Sequence, residues 1–284
     1  MALTACKKEI DFDFHEIAPV VVIEGRVTNE GSFVTITKSR SVTDSVRSRC
    51  LPGAVVAITD RDSTVVLSYD ASSDSYHADM KGVAGHSYRL TVEFEGQHYE
   101  SVATMPAAAP ILSAGFYWMK MLDERMLVYE LWATDPNPDE RNYFWFRMDR
   151  RSTHPHFEGK NMTEPYRWNV HDDRGCPPGK LFLDMICTSE KAMDEDEEDN
   201  WKHILYEGDR ITFQLMTVDQ SVYNYFASLR AGQGGGANPK SNIVGGCSGY
   251  FAAGTVTRSD TIVFHRSHVQ EWTPVVYSAG LVDL

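Results

Sequence analysis

Leu3-Thr4-Ala5-Cys6 is the stretch of this chain best suited to a covalent reaction. A leucine, two small side chains and a cysteine make the cleavage box of an exported lipoprotein. The small side chains fit a peptidase pocket beside the scissile bond, and the cysteine takes lipid on its sulfur. The charged and apolar regions that precede such a box are missing, so the natural precursor is expected to begin upstream of Met1. Other chemistry-bearing clusters are weaker. Asp194 to Asp199 reads DEDEED, which lacks the spaced Asp/Asn and Gly ligands of a calcium loop and reads as a solvated loop. His154-Pro-His156 offers two imidazoles without a third ligand at defined spacing, so no metal site is expected. Gly232 to Gly236 has a phosphate loop's composition, but the helical pattern precedes the glycines instead of following them, so it reads as a flexible loop. There is no Gly-x-Ser-x-Gly elbow and no His-Glu-x-x-His helix, and no carboxylate pair stands out for acid–base work. The chain is expected not to be an enzyme and to need no cofactor.

The five cysteines make an odd set. With Cys6 lipidated, Cys50, Cys176, Cys187 and Cys247 remain, which are either two disulfides in an oxidising compartment or unbridged buried thiols. Cys176 and Cys187, closing GCPPGKLFLDMIC, are the candidate bridge. No Cys-x-x-Cys pair supports zinc. The aromatic clusters Phe116-Tyr117-Trp118, Tyr143-Phe144-Trp145-Phe146 and Tyr166 with Trp168 suit either contacts with a partner or burial under a second sheet. Tyr143, Trp145, Tyr166 and Trp168, with Asn242 in the glycine-rich 232–249 stretch, are the candidate contact residues.

These residues sit in a chain of 284, with 42% hydrophobic and 24% charged side chains, an ordinary globular balance with room for two domains. The net charge of −13, without a Lys/Arg block, argues against nucleic-acid binding. The longest apolar run, Ala18 to Ile23, is far short of the ~20 residues of a membrane helix. From Val20 to Met105, short alternating segments separated by Gly, Asp and Ser turns predict a sandwich of about seven strands. Gly85-His-Ser-Tyr88-Arg-Leu-Thr-Val92 resembles a late strand of immunoglobulin-like sandwiches, whose tyrosine hydroxyl ties a corner to backbone. MPAAAP at 105–110 is a linker. Beyond it, strands are expected at Leu127–Thr134, Asn142–Asp149, Lys180–Cys187 and Arg210–Asp219, with 152–200 otherwise loop-rich. Val222, Tyr225, Phe226 and Leu229 mark the single expected helix, near 221–231, capped by Ser221 before and Gly232 after. The expected division is 1–18 lipobox and tether, 19–106 immunoglobulin-like sandwich, 107–270 second β-rich domain, and 271–284 tail.

Taken together, the lipobox and its acidic tether, PVVVIEGRVT, GAVVAITD, the Gly85–Val92 stretch, the Met-Pro before the second domain, VDQSVYNYFASL and SNIVGGCSGYFAAGTV resemble a family of Bacteroidetes outer-membrane lipoproteins defined by domain of unknown function 4249. The resemblance runs essentially end to end. It implies a protein lipid-anchored in the outer membrane, exposed on the cell surface and paired with a TonB-dependent β-barrel receptor. It touches the membrane through its lipid alone. Lys7-Lys8-Glu9 and Asp11 then look like a surface-export signal. No catalytic residues are established for the family. The expected role is an accessory that helps such a transporter capture or gate its substrate, the alternative being an adhesin or structural surface lipoprotein. Cys50, the Cys176–Cys187 loop and the acidic run match no motif of the family.

Overall fold

A computed structural model of the chain describes residues 18–40, 48–162, 169–232 and 239–272. The fold is mainly β, as expected, in two sandwich-like units with a helix in the second. Among the described residues no helix is long and apolar enough to cross a membrane.

The first unit is built from β1 (Val21–Thr28), β2 (Gly31–Lys38), β3 (Val55–Asp60), β4 (Ser63–Asp70), β5 (Ser75–Ala78), β6 (Ser87–Phe94) and β7 (Gln97–Thr104). Their side chains alternate with the pleat: in β6, Tyr88, Leu90, Val92 and Phe94 are buried while Ser87, Arg89 and Glu93 are exposed. A further strand, β14 (Ser248–Gly254), completes one eight-stranded sheet in the order β14-β1-β2-β5-β4-β3-β6-β7. β4 serves both halves, pairing with β3 through Ser63–Leu67 and with β5 through Ser68–Asp70. The sheet turns there and rolls around a core that includes Ile23, Val34, Ile36, Leu90 and Phe251. Its ends meet just before β14, where Glu100 and Val244 exchange backbone hydrogen bonds of 3.1 and 2.8 Å. The Tyr88 hydroxyl accepts the Val83 N–H at 2.7 Å, the corner tie expected from sequence.

The participation of β14 corrects the domain division. Although it lies far beyond the linker, it runs parallel to β1 from Val22↔Ser248 to Thr28↔Gly254 and belongs to the first sheet. It is buried on both faces: Phe251 and Ala253 enter the core of the first unit, Tyr250 and Ala252 a cluster in the second. The two units therefore share a strand.

In the second unit, β8 (Ile111–Met121), β9 (Glu124–Thr134), β12 (Lys180–Ser189) and β17 (Gln270–Glu271) form a sheet in the order β12-β9-β8-β17. It faces a sheet of β10 (Tyr143–Arg151), β11 (Asn169–Asp172), β13 (Arg210–Val218) and β15 (Val256–Arg258), ordered β11-β10-β13-β15, with β16 (Ile262–Val263) also paired to β13. Tyr129, Phe146 and Phe213 meet between the sheets with ring centroids 4.8 to 5.7 Å apart. At one edge Arg150, 1% exposed, donates to Asp209, 0% exposed, at 2.7 Å. Asp209 also accepts the Thr153 and Tyr206 N–H groups at 2.6 and 2.9 Å and the Thr153 hydroxyl at 3.1 Å, so the buried charge is well satisfied.

The described residues of 152–200 are more ordered than their composition suggests. They carry β11, all of β12, and a second helix, α1 (Glu190–Glu195), N-capped by the Ser189 hydroxyl accepting from Ala192 N–H at 3.1 Å. The DEDEED run is consequently not a free loop. Asp194 and Glu195 end α1, Asp196 takes a left-handed C-cap, and Glu198–Asn200 form a 3-10 turn. Asp194 pairs with Arg266 at 2.7 Å and Asp196 accepts the Tyr206 hydroxyl at 2.6 Å. The expected helix is α2 (Gln220–Gly232), with Asp219 rather than Ser221 as its cap. The Asp219 carboxylate accepts the Val222 N–H at 3.0 Å and holds the Ser221 hydroxyl at 2.6 Å.

Candidate functional site

The candidate contact residues gather around α2. On β10, the pleat sends Phe144 and Phe146 between the sheets and turns Tyr143 and Trp145 to the opposite face. There α2 covers Trp145, which is 7% exposed, with Phe226 at 4.6 Å and Tyr250 edge-on at 5.9 Å. Trp145 is thus mainly a packing residue, which corrects its reading as a contact. Tyr143, nearer the strand end, is only half-buried and leans on Tyr223 at 5.0 Å.

Asn242 is also corrected. Its amide donates to the Ser221 hydroxyl at 2.9 Å and the Phe251 carbonyl at 2.8 Å, and its oxygen accepts the Phe251 N–H at 2.8 Å. It ties the start of α2 to β14 and presents no free group of its amide. Cys6, Tyr166, Trp168 and residues 233–238 of the glycine-rich stretch lie outside the described residues.

The Cys176–Cys187 bridge is not formed; both are free thiols, as are Cys50 and Cys247. Cys176 Sγ engages the Phe182 backbone, 3.5 Å from its N–H nitrogen and 3.6 Å from its carbonyl, while Cys187 is five strand positions further along β12. At about 3.3 Å per residue that places them roughly 16 Å apart, far outside bridging distance. Burial pushes the thiols of Cys50 and Cys176 up and that of Cys247 up to about 11.

His154 and His156 are engaged in ring packing. His154 stacks on Trp201 and Tyr206 at 4.5 and 4.7 Å, and its Nδ1 accepts the His156 N–H at 3.3 Å. Among the described residues no group of three metal-ligating side chains converges. On β11, burial pushes His171 down to about 4, helped by the charge of Arg230, and among the described residues its Nε2 has no partner.

Tyr143 lines a groove of about 630 Å³ at the seam of the two units. Ala84, Gly85 and Met105–Ala107 form one wall; Pro136 to Tyr143 and Thr217 to Gln220 form the other. The volume lies in the ~300–1,000 Å³ range of ligand clefts. Its second wall is pre-shaped by Asn142, whose side-chain amide lies 2.8 to 3.0 Å from Asp135, Asp173 and the carbonyls of Asn137 and Glu140. Arg141 is 45% exposed and pairs loosely with Asp172, at 3.9 Å, too far for a hydrogen bond. Burial raises Asp172, but hydrogen bonds from Arg174 outweigh it and hold the carboxyl below its usual range. A second cleft of about 440 Å³, rimmed by Pro138, Pro177 and Pro178, shares Glu140 and Arg141 with the groove. The two form one continuous, proline-rimmed surface that includes the side chains of Tyr143 and Arg141. Sequence reasoning found Tyr143 by its cluster. It missed Arg141, whose signal was only its place beside a Pro/Asp turn.

These features define a mainly β protein of two units joined by a shared strand, with a groove of about 630 Å³ at the seam between them. The chain belongs to the family described as domain of unknown function (DUF4249), whose family model matches residues 7–260. Comparison with curated proteins finds no match.

Proposed function

We propose that this protein is a lipid-anchored accessory of the bacterial outer membrane, displayed at the cell surface, that works beside a TonB-dependent β-barrel in substrate capture or gating. The observation that carries the reading is the preformed groove between two units locked by a common strand. A rigid concavity loses little entropy on docking, and Tyr and Arg are the side chains that most often anchor such contacts.

The lipobox at Cys6 supplies the second half of the argument. A diacylated cysteine confines the folded body to the membrane plane, which raises its effective concentration beside a barrel and lets a modest interface suffice. From Cys6 to Val21 an extended chain reaches at most about 50 Å, so the groove stays within a protein diameter or so of the bilayer. The acidic body, net −13, favours a partner surface that presents cations.

Two substitutions test the halves separately. Cys6→Ala in the full-length precursor is expected to release the protein from membranes; continued quantitative retention would overturn the anchor. Tyr143→Ala with Arg141→Glu is expected to weaken co-purification of a barrel about tenfold or more while leaving thermal stability unchanged. Undiminished recovery would remove the groove from the interface.

A further inference from the structure

On another face of the seam, a smaller pocket of about 170 Å³ lies where β1 and β2 of the first unit meet β10, β13 and β15 of the second. Arg26 projects into it from β1. Its guanidinium lies 5.5 Å from the ring centre of Phe33 and 5.7 Å from that of Trp145, so an aromatic ring from each unit holds it. Two more arginines line the pocket, and both are already neutralised: Arg258 pairs with Glu30, and Arg147 with Asp149 at 3.1 Å. Among the described residues no carboxylate lies within ion-pair distance of Arg26. Three cations against two anions leave one positive charge over, in a protein whose total is −13.

The walls add a shape and a polarity. Met216 and Val256 are apolar, Phe33 is 40% exposed, and Gln214 is a neutral hydrogen-bonding group turned to Asp149. At about 30 Å³ per water-sized group the pocket has room for roughly six such groups, less than a drug-sized ligand fills. A guanidinium presents paired N–H donors in a plane that matches a carboxylate, and ring contacts that fix its plane reduce what is lost on binding.

We propose that this pocket binds a carboxylate attached to a small apolar body, with the Arg26 guanidinium as its partner. Two sources supply that chemistry: a free short-chain acid, or the C-terminal residue of a peptide. The site stands on Arg26 and its two rings, independently of whether a barrel partner exists.

The test is titration calorimetry on the full chain, with tryptophan fluorescence reporting on Trp145, which a Trp145→Phe variant assigns. The probes are butyrate, a tripeptide ending in a free valine carboxylate, and the same tripeptide as its amide. Saturable binding of butyrate or the free peptide is expected, at least about tenfold weaker for the amide and for Arg26→Met or Arg26→Gln, each folded by circular dichroism. Butyrate alone binding assigns a small acid; the free peptide binding about tenfold more tightly assigns a chain terminus. Absence of saturation up to about 20 mM carboxylate, or equal affinity in both Arg26 variants, would overturn the proposal and leave Arg26 as a packing clamp.

Discussion

Gly249 is where the joining of the two units is most exposed to a single atom. It sits on β14 at φ +112°, and a Cβ there would lie 1.9 Å from the Ile23 carbonyl oxygen and 2.7 Å from its carbon. Both are backbone atoms of the paired strand, so β14 must leave β1 to admit an alanine. Backbone strain of about 1–3 kcal/mol is the first cost. Partial exposure of Phe251, now 0% exposed, adds roughly 1.5–3 kcal/mol, and weakened ladder bonds add about 1 kcal/mol each. Gly249→Ala is therefore expected to cost more than about 4 kcal/mol, in the upper tail for one substitution. Gly246 is the matched control: it has φ +83°, and a Cβ there would meet nothing within 4 Å. Gly246→Ala bears the conformational penalty without the collision, about 1 kcal/mol. Urea denaturation of the two variants in parallel measures the difference. A gap of about 3 kcal/mol or more supports the shared strand; variants within about 1 kcal/mol of each other would refute the pairing of β14 with β1.

Asp209→Asn is expected to destabilise the second unit by about 3–5 kcal/mol, because it strands the Arg150 guanidinium in a buried site; urea unfolding checks this, and a loss under about 1 kcal/mol would contradict it. His171 gives a pH signature. Its ring is held near pKa 4 in the fold against an ordinary 6.5, so between those values the unfolded chain binds a proton that the folded chain does not. Stability therefore falls as pH drops from about 6.5 toward 4, by at most about 3 kcal/mol, and His171→Gln should flatten that limb. An unchanged slope in the variant would assign it to other groups. Peptide mapping without reductant should recover Cys176 and Cys187 in separate peptides, both alkylated fully only after unfolding; a cross-linked pair would contradict the free thiols.

Much of the first unit was legible because its strands are buried on one face. The alternation of Tyr88, Leu90, Val92 and Phe94 is the signature of such a strand, and the Tyr88 corner was implied by the resemblance of Gly85–Val92 to a late immunoglobulin-like strand. β14 has no such signature: both faces are buried, its sequence is SGYFAAG, and Gly and Ala have low strand propensity. Its partner lies more than two hundred residues away, a pairing that leaves no local mark. The place of 248–254 in the first sheet was hidden for the same reason. Alternation placed Tyr143 and Trp145 on one face of β10, but not that α2 would cover Trp145 and leave Tyr143 at the groove. Asn242 has the composition of a surface loop, yet its amide replaces missing backbone partners between α2 and β14. Asp219 outcompeted Ser221 as the cap because its carboxylate reaches the Val222 N–H three residues on, two residues earlier in the chain than the same bond from the serine would fall.

If, as proposed, this protein serves a barrel in its own membrane, the two should leave that membrane together. The direct measurement is a pull-down of the full-length, lipidated protein from native membranes in gentle detergent, with mass spectrometry of what accompanies it. A TonB-dependent β-barrel recovered in stoichiometric amount, and lost with Tyr143→Ala and Arg141→Glu, is the predicted result. Recovery of the protein alone at low salt would contradict it and favour an adhesin or structural role at the cell surface.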